Sequence, residues 1–341
     1  KVSLKATVSD GVGLQAKSAS ASVNANVEVL EFKGYTYSNA IFNGKLQQRL
    51  LDGALNMHDK NADLNFSGKI DFTEIAPSYD FVSEVKNLDL YKLNLSKRPL
   101  ALKGDIDISL QGKKIEDLIG EVNLQHLIII QDTSEVILQN LSLTATQTLA
   151  GLQRLNVKSD WVDGFIEGNY TLKDIWPALR QQMILQFPEI AHSLDLYKKL
   201  LATSDSNKLQ KYRFEFLIKD LVGFEELLHT EMYVSQPIKI SGAVDAGQKY
   251  FQTNWNIPDL RVKNLSIFNS VGRLEAKGAL AFTSSYVDST ISKDFRMPHV
   301  VLTADLSYNK MNFSIKTPKV ANLINNVALN GTMELIDSTY T

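Results

Sequence analysis

With 341 residues, 36 basic against 38 acidic side chains and no cysteine, the chain is long enough for several domains or for one elongated sheet. It has no basic run and no aromatics interleaved with Lys or Arg, so it lacks the features by which proteins grip nucleic acid. A cysteine-free composition suits an oxidising compartment, and the longest purely apolar stretch, Leu127-Ile128-Ile129-Ile130, is far short of a membrane span.

From Lys1 to about Asp174 the dominant period is two. Val23, Ala25, Val27 and Val29 alternate with polar neighbours, as do Ile106, Ile108 and Leu110 with Asp105, Asp107 and Ser109, and the pattern returns in Leu141, Leu143 and Ala145. Such alternation predicts antiparallel strands with one wet and one dry face. Asp10-Gly11, His58–Asn61 and Tyr308–Lys310 read as turns. At Trp176 the period changes. Pro177 suits a first helical position, and Leu179, Met183 and Phe187, then Ile190, Leu194, Tyr197 and Leu201, predict two amphipathic helices that could lie across a groove or simply pack on a sheet. A strand is expected at Tyr212–Ile218 and a short helix at Leu221–His229. The two-residue period then resumes through Val300, Leu302, Ala304 and Leu306 and through Met311, Phe313 and Ile315. The expected organisation is a β segment over 1–175, a helical insert with one short strand over 176–231, and a second β segment over 232–341. Because the chain opens on Lys1 rather than Met, we expect it to be an excerpt of a longer protein.

One phrase recurs along these strands: an apolar row broken by glycine. It stands as Phe66-x-Gly68-x-Ile70-x-Phe72, Leu102-x-Gly104-x-Ile106-x-Ile108 and Leu118-x-Gly120-x-Val122-x-Leu124. It returns as Ile166-x-Gly168-x-Tyr170-x-Leu172, Ile240-x-Gly242-x-Val244, Leu274-x-Ala276-x-Gly278-x-Leu280-x-Phe282 and Val327-x-Leu329-x-Gly331-x-Met333-x-Leu335. The spacing between glycines is irregular, which argues against a strict solenoid or propeller. Interior glycine weakens a strand, so its repetition needs a cause. One cause is a sheet bent about a line crossing its strands, where a missing side chain relieves crowding on the concave face. The other is a set of unrelated bulges and turns. On the first reading Gly68, Gly104, Gly120, Gly168, Gly242, Gly278 and Gly331 are sheet-bend positions. The trough would be lined by Phe66, Ile70, Phe72, Leu102, Ile106, Ile108, Leu110, Val122, Leu124, Ile166, Tyr170, Leu172, Leu274, Leu280, Phe282, Val300, Leu302, Leu306, Leu329, Met333 and Leu335. The expected fold is mainly β: a long antiparallel sheet folded lengthwise into an open groove, with a small helical insert.

Nothing in the pattern resembles an active site. The N-x-S/T triplets at Asn65, Asn94, Asn140, Asn169, Asn264, Asn312 and Asn330 all carry their middle residue on the apolar parity, and polar–apolar alternation produces them unaided. His58, His126, His192, His229 and His299 are scattered without metal-ligand spacing, and Asp71/Glu74 and Asp105/Asp107 fall on outward positions. No phosphate-binding glycine loop or nucleophile elbow is present. No enzyme and no cofactor are expected.

The stretches Leu64–Phe72, Pro77–Phe81, Lys86–Leu90 and Leu118–Leu124, with Gly164–Leu172 running into Trp176-Pro177, resemble the TamB family, in particular its Bacteroidota-type members within the AsmA-like superfamily. The resemblance implies a β-taco, a periplasmic bridge whose hydrophobic groove carries phospholipid or another acyl lipid between inner and outer membrane. It also implies a role in outer-membrane biogenesis. The membrane anchor and the contact with an Omp85-type barrel, together the translocation and assembly module, would both lie outside this chain, and the family offers no catalytic residues. Two further readings compete. The chain could be a scaffold or chaperone pairing client strands along a sheet edge, or a fibre-like surface protein whose dry face is only core.

Overall fold

The computed structural model describes residues 2–12, 20–132, 134–175, 177, 210–222, 225, 230–263, 265–278, 280–292, 295–307, 309–317, 327–336 and 339–340. Strand dominates and pairing is antiparallel, as the alternation predicts. The chain forms two compact units. One comprises Lys1–Thr146 with Asn156–Asp160, and the other Gln147–Leu155 with Trp161–Thr341.

The first unit is a meander in chain order: β1 (Val2–Val12), β2 (Ser20–Phe32), β3 (Tyr35–Gln47), β4 (Leu50–Asp59), β5 (Ala62–Asp71), β6 (Ser78–Asp89), β7 (Leu100–Gln111), β8 (Ile119–Gln131) and β9 (Ser134–Gln147). Each pairs with the next, and among the described pairings none returns β1 to β9, so this sheet is open. β10 (Gln153–Ser159) follows. The second unit contains β11 (Val162–Asn169), β12 (Lys211–Ile218), β13 (Met232–Tyr233), β14 (Ile238–Asp245), β15 (Tyr250–Val262), β16 (Leu265–Lys277), β17 (Leu280–Ser292), β18 (Phe295–Ser307), β19 (Lys310–Lys316), β20 (Ala328–Ile336) and β21 (Thr339–Tyr340). β11 pairs directly with β12, and β12 with β14. The strand order therefore continues across the predicted insert without a gap. A helical turn covers Leu172–Ile175, while most of the predicted helical pair, 178–209, and most of Leu221–His229 lie outside the described residues. Asp10-Gly11, expected to be a turn, lies inside β1 instead, where the register slips between Ser9 and Val12. A bulge accommodates the glycine there without reversing the chain.

Hairpin ends follow from local chemistry. Lys33-Gly34 and Gln48-Arg49 both take left-handed φ, the geometry that matches the twist of two-residue hairpins. At the β4–β5 turn Asp59 is buried and accepts hydrogen bonds from the Tyr35 and Ser38 hydroxyls and from the Ser38 and Asn61 amides. Burial pushes its carboxyl pKa up, but the bonds from Tyr35, Asn61 and Ser38 outweigh that effect and hold it below the usual range. Asp59→Ala is expected to cost about 2 kcal/mol in urea unfolding, because it strands those donors. The depressed pKa makes the stabilisation present above the unfolded carboxylate value near ~4 and lost as pH falls through the folded value. Asp59→Asn should therefore flatten the acid limb of the stability profile.

Long strands carry a feature that period two alone does not predict. Val27↔Ala40 is followed by Val29↔Ser38, Gln125↔Asn140 by Leu127↔Leu138, Ile257↔Ser270 by Asp259↔Phe268, and Val287↔Val300 by Ser289↔Pro298. One residue on each strand drops out of the ladder. In every case one of the two is left-handed: Asn39 (φ 53°), His126 (φ 51°), Asn269 (φ 46°) and His299 (φ 53°). Register slips at Asp63/Leu64, Val85/Leu88 and Lys103/Asp105 continue the line across β5, β6 and β7. This crease reverses the parity of burial. In β9 Val136 and Leu138 are buried and Ile137 is 51 % exposed, whereas past Gln139 the half-buried apolar residues are Leu141 and Leu143. Asn and His tolerate left-handed backbone better than branched residues do. Asn39→Gly should therefore be nearly neutral, and Asn39→Val should lower the urea unfolding free energy by about 1–2 kcal/mol.

Candidate functional site

Register turns the alternating strands into rows that run across them. In the first unit one row reads Ala25, Phe42, Leu55, Phe66, Ser83, Ile106, Leu124, Leu141 from β2 to β9. The next reads Val23, Gly44, Gly53, Gly68, Phe81, Ile108, Val122, Leu143, and a third Ala21, Leu46, Leu51, Ile70, Tyr79, Leu110, Gly120, Ala145. None contains a charged residue. Beyond the crease Ala62, Leu88, Leu102, Ile129 and Val136 form another.

The second unit repeats the device within itself. Gly168, Tyr212, Val244, Phe251, Ala276, Ala281, Leu306, Met311 and Met333 stand in register from β11 to β20. Beside them run Ile166, Phe214, Gly242, Thr253, Leu274, Thr283, Ala304, Phe313 and Gly331, and then Gly164, Phe216, Ile240, Trp255, Gly272, Ser285, Leu302, Ile315 and Leu329. These rows too are free of charge.

The apolar rows are mostly neither sealed nor bare. Phe66, Ile70, Ile106, Ile108, Leu110, Val122 and Leu124 are half-buried, while Asp105, Asp107 and Ser109 on the other face of β7 are exposed. Leu102, Ile166, Leu274, Leu302, Leu306 and Met333 are likewise half-buried, Val300 is buried and Leu329 is exposed. Phe72 lies just past the end of β5, edge-on to Tyr79.

Three expectations about this lining need correction. The phrase Leu274–Phe282 runs through a hairpin, because Lys277 pairs with Leu280. Parity therefore changes at the turn: the row passes from Ala276 to Ala281, and Phe282 faces Glu275 and Asp305 on the polar side, 45 % exposed. Leu280 shares that parity, and its side chain lies outside the described residues, as does that of Leu335. Leu172 belongs to the helical turn and is 41 % exposed. Tyr170, beyond the end of β11, is sealed in a core with Tyr212 and Val244.

The missing side chains in the rows have two causes. Gly242 and Gly331 leave room for the aromatic ring opposite them. A Cβ at Gly242 would meet the Gln252 carbonyl oxygen of the next strand as well as the ring of Phe214, 2.6 Å away, and one at Gly331 would come 2.5 Å from the ring of Phe313. Trp255 covers Gly272 in the same way. An aromatic laid over a glycine restores the packing the strand gives up. Gly68, Gly104, Gly120 and Gly168 instead take φ between +129° and +157°, and a Cβ at Gly68, Gly120 or Gly168 would collide with the backbone of the neighbouring strand, whereas at Gly104 it would fit tightly. Gly104 coincides with a register slip. Gly278 is no bend position: it lies in the turn after β16 with φ +61° and open space around it.

The opposite face is polar. A depression of about 510 Å³ in the first unit is lined by the polar residues Asn56, Asn65, Ser67, Ser83, Glu84, Asp105, Asp107, Asn123 and Gln125 and by the apolar Ala54, Phe66, Val82 and Ile106. Asn65 donates to Glu84, and Asp105 meets His126 at 3.2 Å. In the second unit Glu167 bridges Arg154 and Arg213, which hold its carboxyl below the usual range. Among the described residues no group of three or more His, Asp or Glu could hold a metal ion. Sequence reasoning missed the aromatics Phe42, Phe214, Phe216 and Trp255 on the apolar rows, although Tyr212-x-Phe214-x-Phe216 alternates plainly. Comparison with known protein families, with curated proteins and with solved structures gives no match.

Proposed function

We propose that the apolar rows carry the acyl chains of a phospholipid or related lipid, and that the protein serves lipid transport in a bacterial periplasm, between inner and outer membrane. The observation that supports this reading most is the charge-free continuity of the rows over eight and nine strands while most of their side chains remain only half-buried, the row through Tyr212 and Val244 excepted, where Gly168, Tyr212, Val244, Ala276 and Ala281 are buried. A core that existed only for stability would be covered. A contiguous exposed apolar surface marks a binding site.

Energetics favour hydrocarbon as the occupant. Each methylene taken from water gains about 0.8 kcal/mol, so a two-chain lipid with ~30 methylenes faces a barrier on the order of 20 kcal/mol to crossing water unaided. A row without charges offers an acyl chain similar contacts at each strand, which lets it slide rather than lodge. The resemblance to the TamB family supports the periplasmic placement and a role in outer-membrane biogenesis. It also supports partnership with an Omp85-type barrel through a region outside this chain.

Photocrosslinking tests the reading. Benzoylphenylalanine in place of Ile106 should label a diacyl phosphatidylglycerol, and the same group in place of Asp107, one residue on and on the other face, should not. Equal labelling from both positions, or from neither, would remove the support for a lipid face.

A further inference from the structure

Three turns at one end of β2 to β7 are stitched into a single rim. The Asp89 N–H donates to the Asn61 carbonyl at 2.9 Å, the Asn87 side-chain amide to the Lys60 carbonyl at 3.2 Å, and the Asn94 side-chain amide to the Lys33 carbonyl at 3.2 Å. Leu93, 1 % exposed, roots the 90–99 loop in place. No stretch of the sequence holds a basic run, yet the fold collects six exposed cations here: Lys33, Lys60, Lys86, Lys92, Lys97 and Arg98. The carboxylates of the rim are exposed Glu31, half-buried Asp63 and Asp89, and buried Asp59, with Asp89 paired to Lys92 at 2.9 Å. Among the cations stand Phe32, 53 % exposed, Tyr91, 49 %, and Leu95, 44 %, and the Lys33 ammonium lies 5.7 Å over the Phe32 ring. The patch ends at the next hairpin, β8–β9, which carries Asp132 and Glu135. At the other ends of the same strands the rim is balanced, with Arg49, Lys113 and Lys114 beside Glu74, Glu116 and Asp117.

We infer that the basic rim docks on the surface of an anionic lipid bilayer. With a net charge of −2 the chain as a whole is not drawn to anionic lipid, so a local patch must supply the attraction. Solvated lysines need no partner, but solvation does not account for three large apolar side chains held open among them. A polyanion such as nucleic acid would match the charge and leave Phe32 and Leu95 in water. A bilayer interface takes both. Headgroup phosphates meet the cations, while the aromatic and aliphatic side chains sink to the boundary of the acyl region, as amphipathic residues do at such an interface. The long lysine stems let their ammonium groups stay at headgroup level above them. This contact lies on the chain itself and does not depend on what the apolar rows carry.

The test uses the full chain and sucrose-loaded vesicles, either of phosphatidylcholine alone or of phosphatidylcholine mixed equally with phosphatidylglycerol. The chain is expected to sediment with the mixed vesicles and to stay in solution with phosphatidylcholine alone. Lys60→Gln, Lys97→Gln and Arg98→Gln together remove three charges and none of the backbone bonds that hold the rim. They should raise the lipid concentration for half-maximal sedimentation about a hundredfold. Arg49→Gln, Lys113→Gln and Lys114→Gln together, on the balanced rim, should leave it unchanged. Because the chain has no cysteine, Leu95→Cys can carry a single nitrobenzoxadiazole group, which brightens on leaving water. It should brighten on the mixed vesicles, whereas the same group on Ile115→Cys, 68 % exposed in the parent, should not. Equal loss from the two triple variants overturns the inference, since the attraction would then belong to no particular rim. A dim Leu95 probe on vesicles that still sediment the chain overturns it as well, because the rim would then meet them through charge alone or not at all. The Leu95 probe keeps all six cations, so its answer stands even if the triple variant fails to fold. A parent that sediments with neither vesicle overturns the docking and leaves the apolar rows to the crosslink at Ile106.

Discussion

Arginine in place of Ile106 or Leu302 is expected to abolish lipid retention by its unit, while arginine in place of Asp107 leaves it unchanged. Ile106 stands between Ser83 and Leu124 in one row, and Leu302 between Ser285 and Ile315 in another. Both are half-buried, and each has an apolar row on either side along its own strand. A guanidinium there must share its surroundings with methylenes. Measured against the roughly 2.5–3.5 kcal/mol cost of a cation at the centre of a hydrocarbon layer, the loss is on the order of a hundredfold in affinity. Asp107 shares a strand with Ile106 and differs only in face, so the Asp107 variant controls for charge and for folding. The measurement is lipid co-purification by native mass spectrometry, alongside circular dichroism to establish that the sheet survives. Retained lipid in both row variants would count against the apolar face as the carrier surface.

The faces were legible in the sequence because a strand's side chains alternate strictly, and Ile106, Ile108 and Leu110 against Asp105, Asp107 and Ser109 admit only one orientation. Legibility failed where the period is interrupted. At Gly278 the apolar phrase continued by coincidence through a two-residue hairpin, and Leu280 and Phe282 were carried onto the wrong face. A hairpin joining residues of opposite parity reverses every position after it. At the crease the opposite happened. Tyr35, Tyr37, Ala40, Phe42 and Gly44 change parity at Asn39, and the left-handed backbone there reverses the strand to match. The signal was a polar residue at the slip, in Ser-Asn-Ala, Gln-His-Leu, Phe-Asn-Ser and Pro-His-Val, but it appears only when two phases are allowed in one strand. Every histidine among the described residues sits at or beside a register slip of its own unit, His58 and His126 in the first and His299 in the second. What looked like scatter is thus placement along a bend. The recurring glycines were read as one device and are at least three: seats for aromatic rings, positions of right-hand-side φ, and a turn.

That division of the glycines gives the last prediction its contrast. Gly168 and Gly278 look alike in sequence, each standing within an apolar alternation. A Cβ on Gly168 would meet the Lys211 carbonyl oxygen and lie 2.6 Å from the Tyr212 Cα, both in the backbone of β12, and its φ of +151° is hostile to an L residue. Backbone cannot rotate away as a side chain can, so β11 and β12 must separate or the residue must abandon its conformation. Gly168→Ala is expected to lower the unfolding free energy by about 3 kcal/mol, the sum of overpacking and backbone strain. Gly278→Ala meets open space and carries only the left-handed penalty of about 1 kcal/mol. Urea midpoints of the two variants decide the matter. Because Gly168 pairs with Tyr212, the first substitution should also disturb the Tyr170–Tyr212 cluster and raise near-ultraviolet tyrosine mobility, which the second should leave alone. Equal destabilisation by the two alanines would mean that β11 and β12 are not held at the separation their pairing implies, and that the missing side chain at Gly168 serves the chain's flexibility rather than the close approach of two strands.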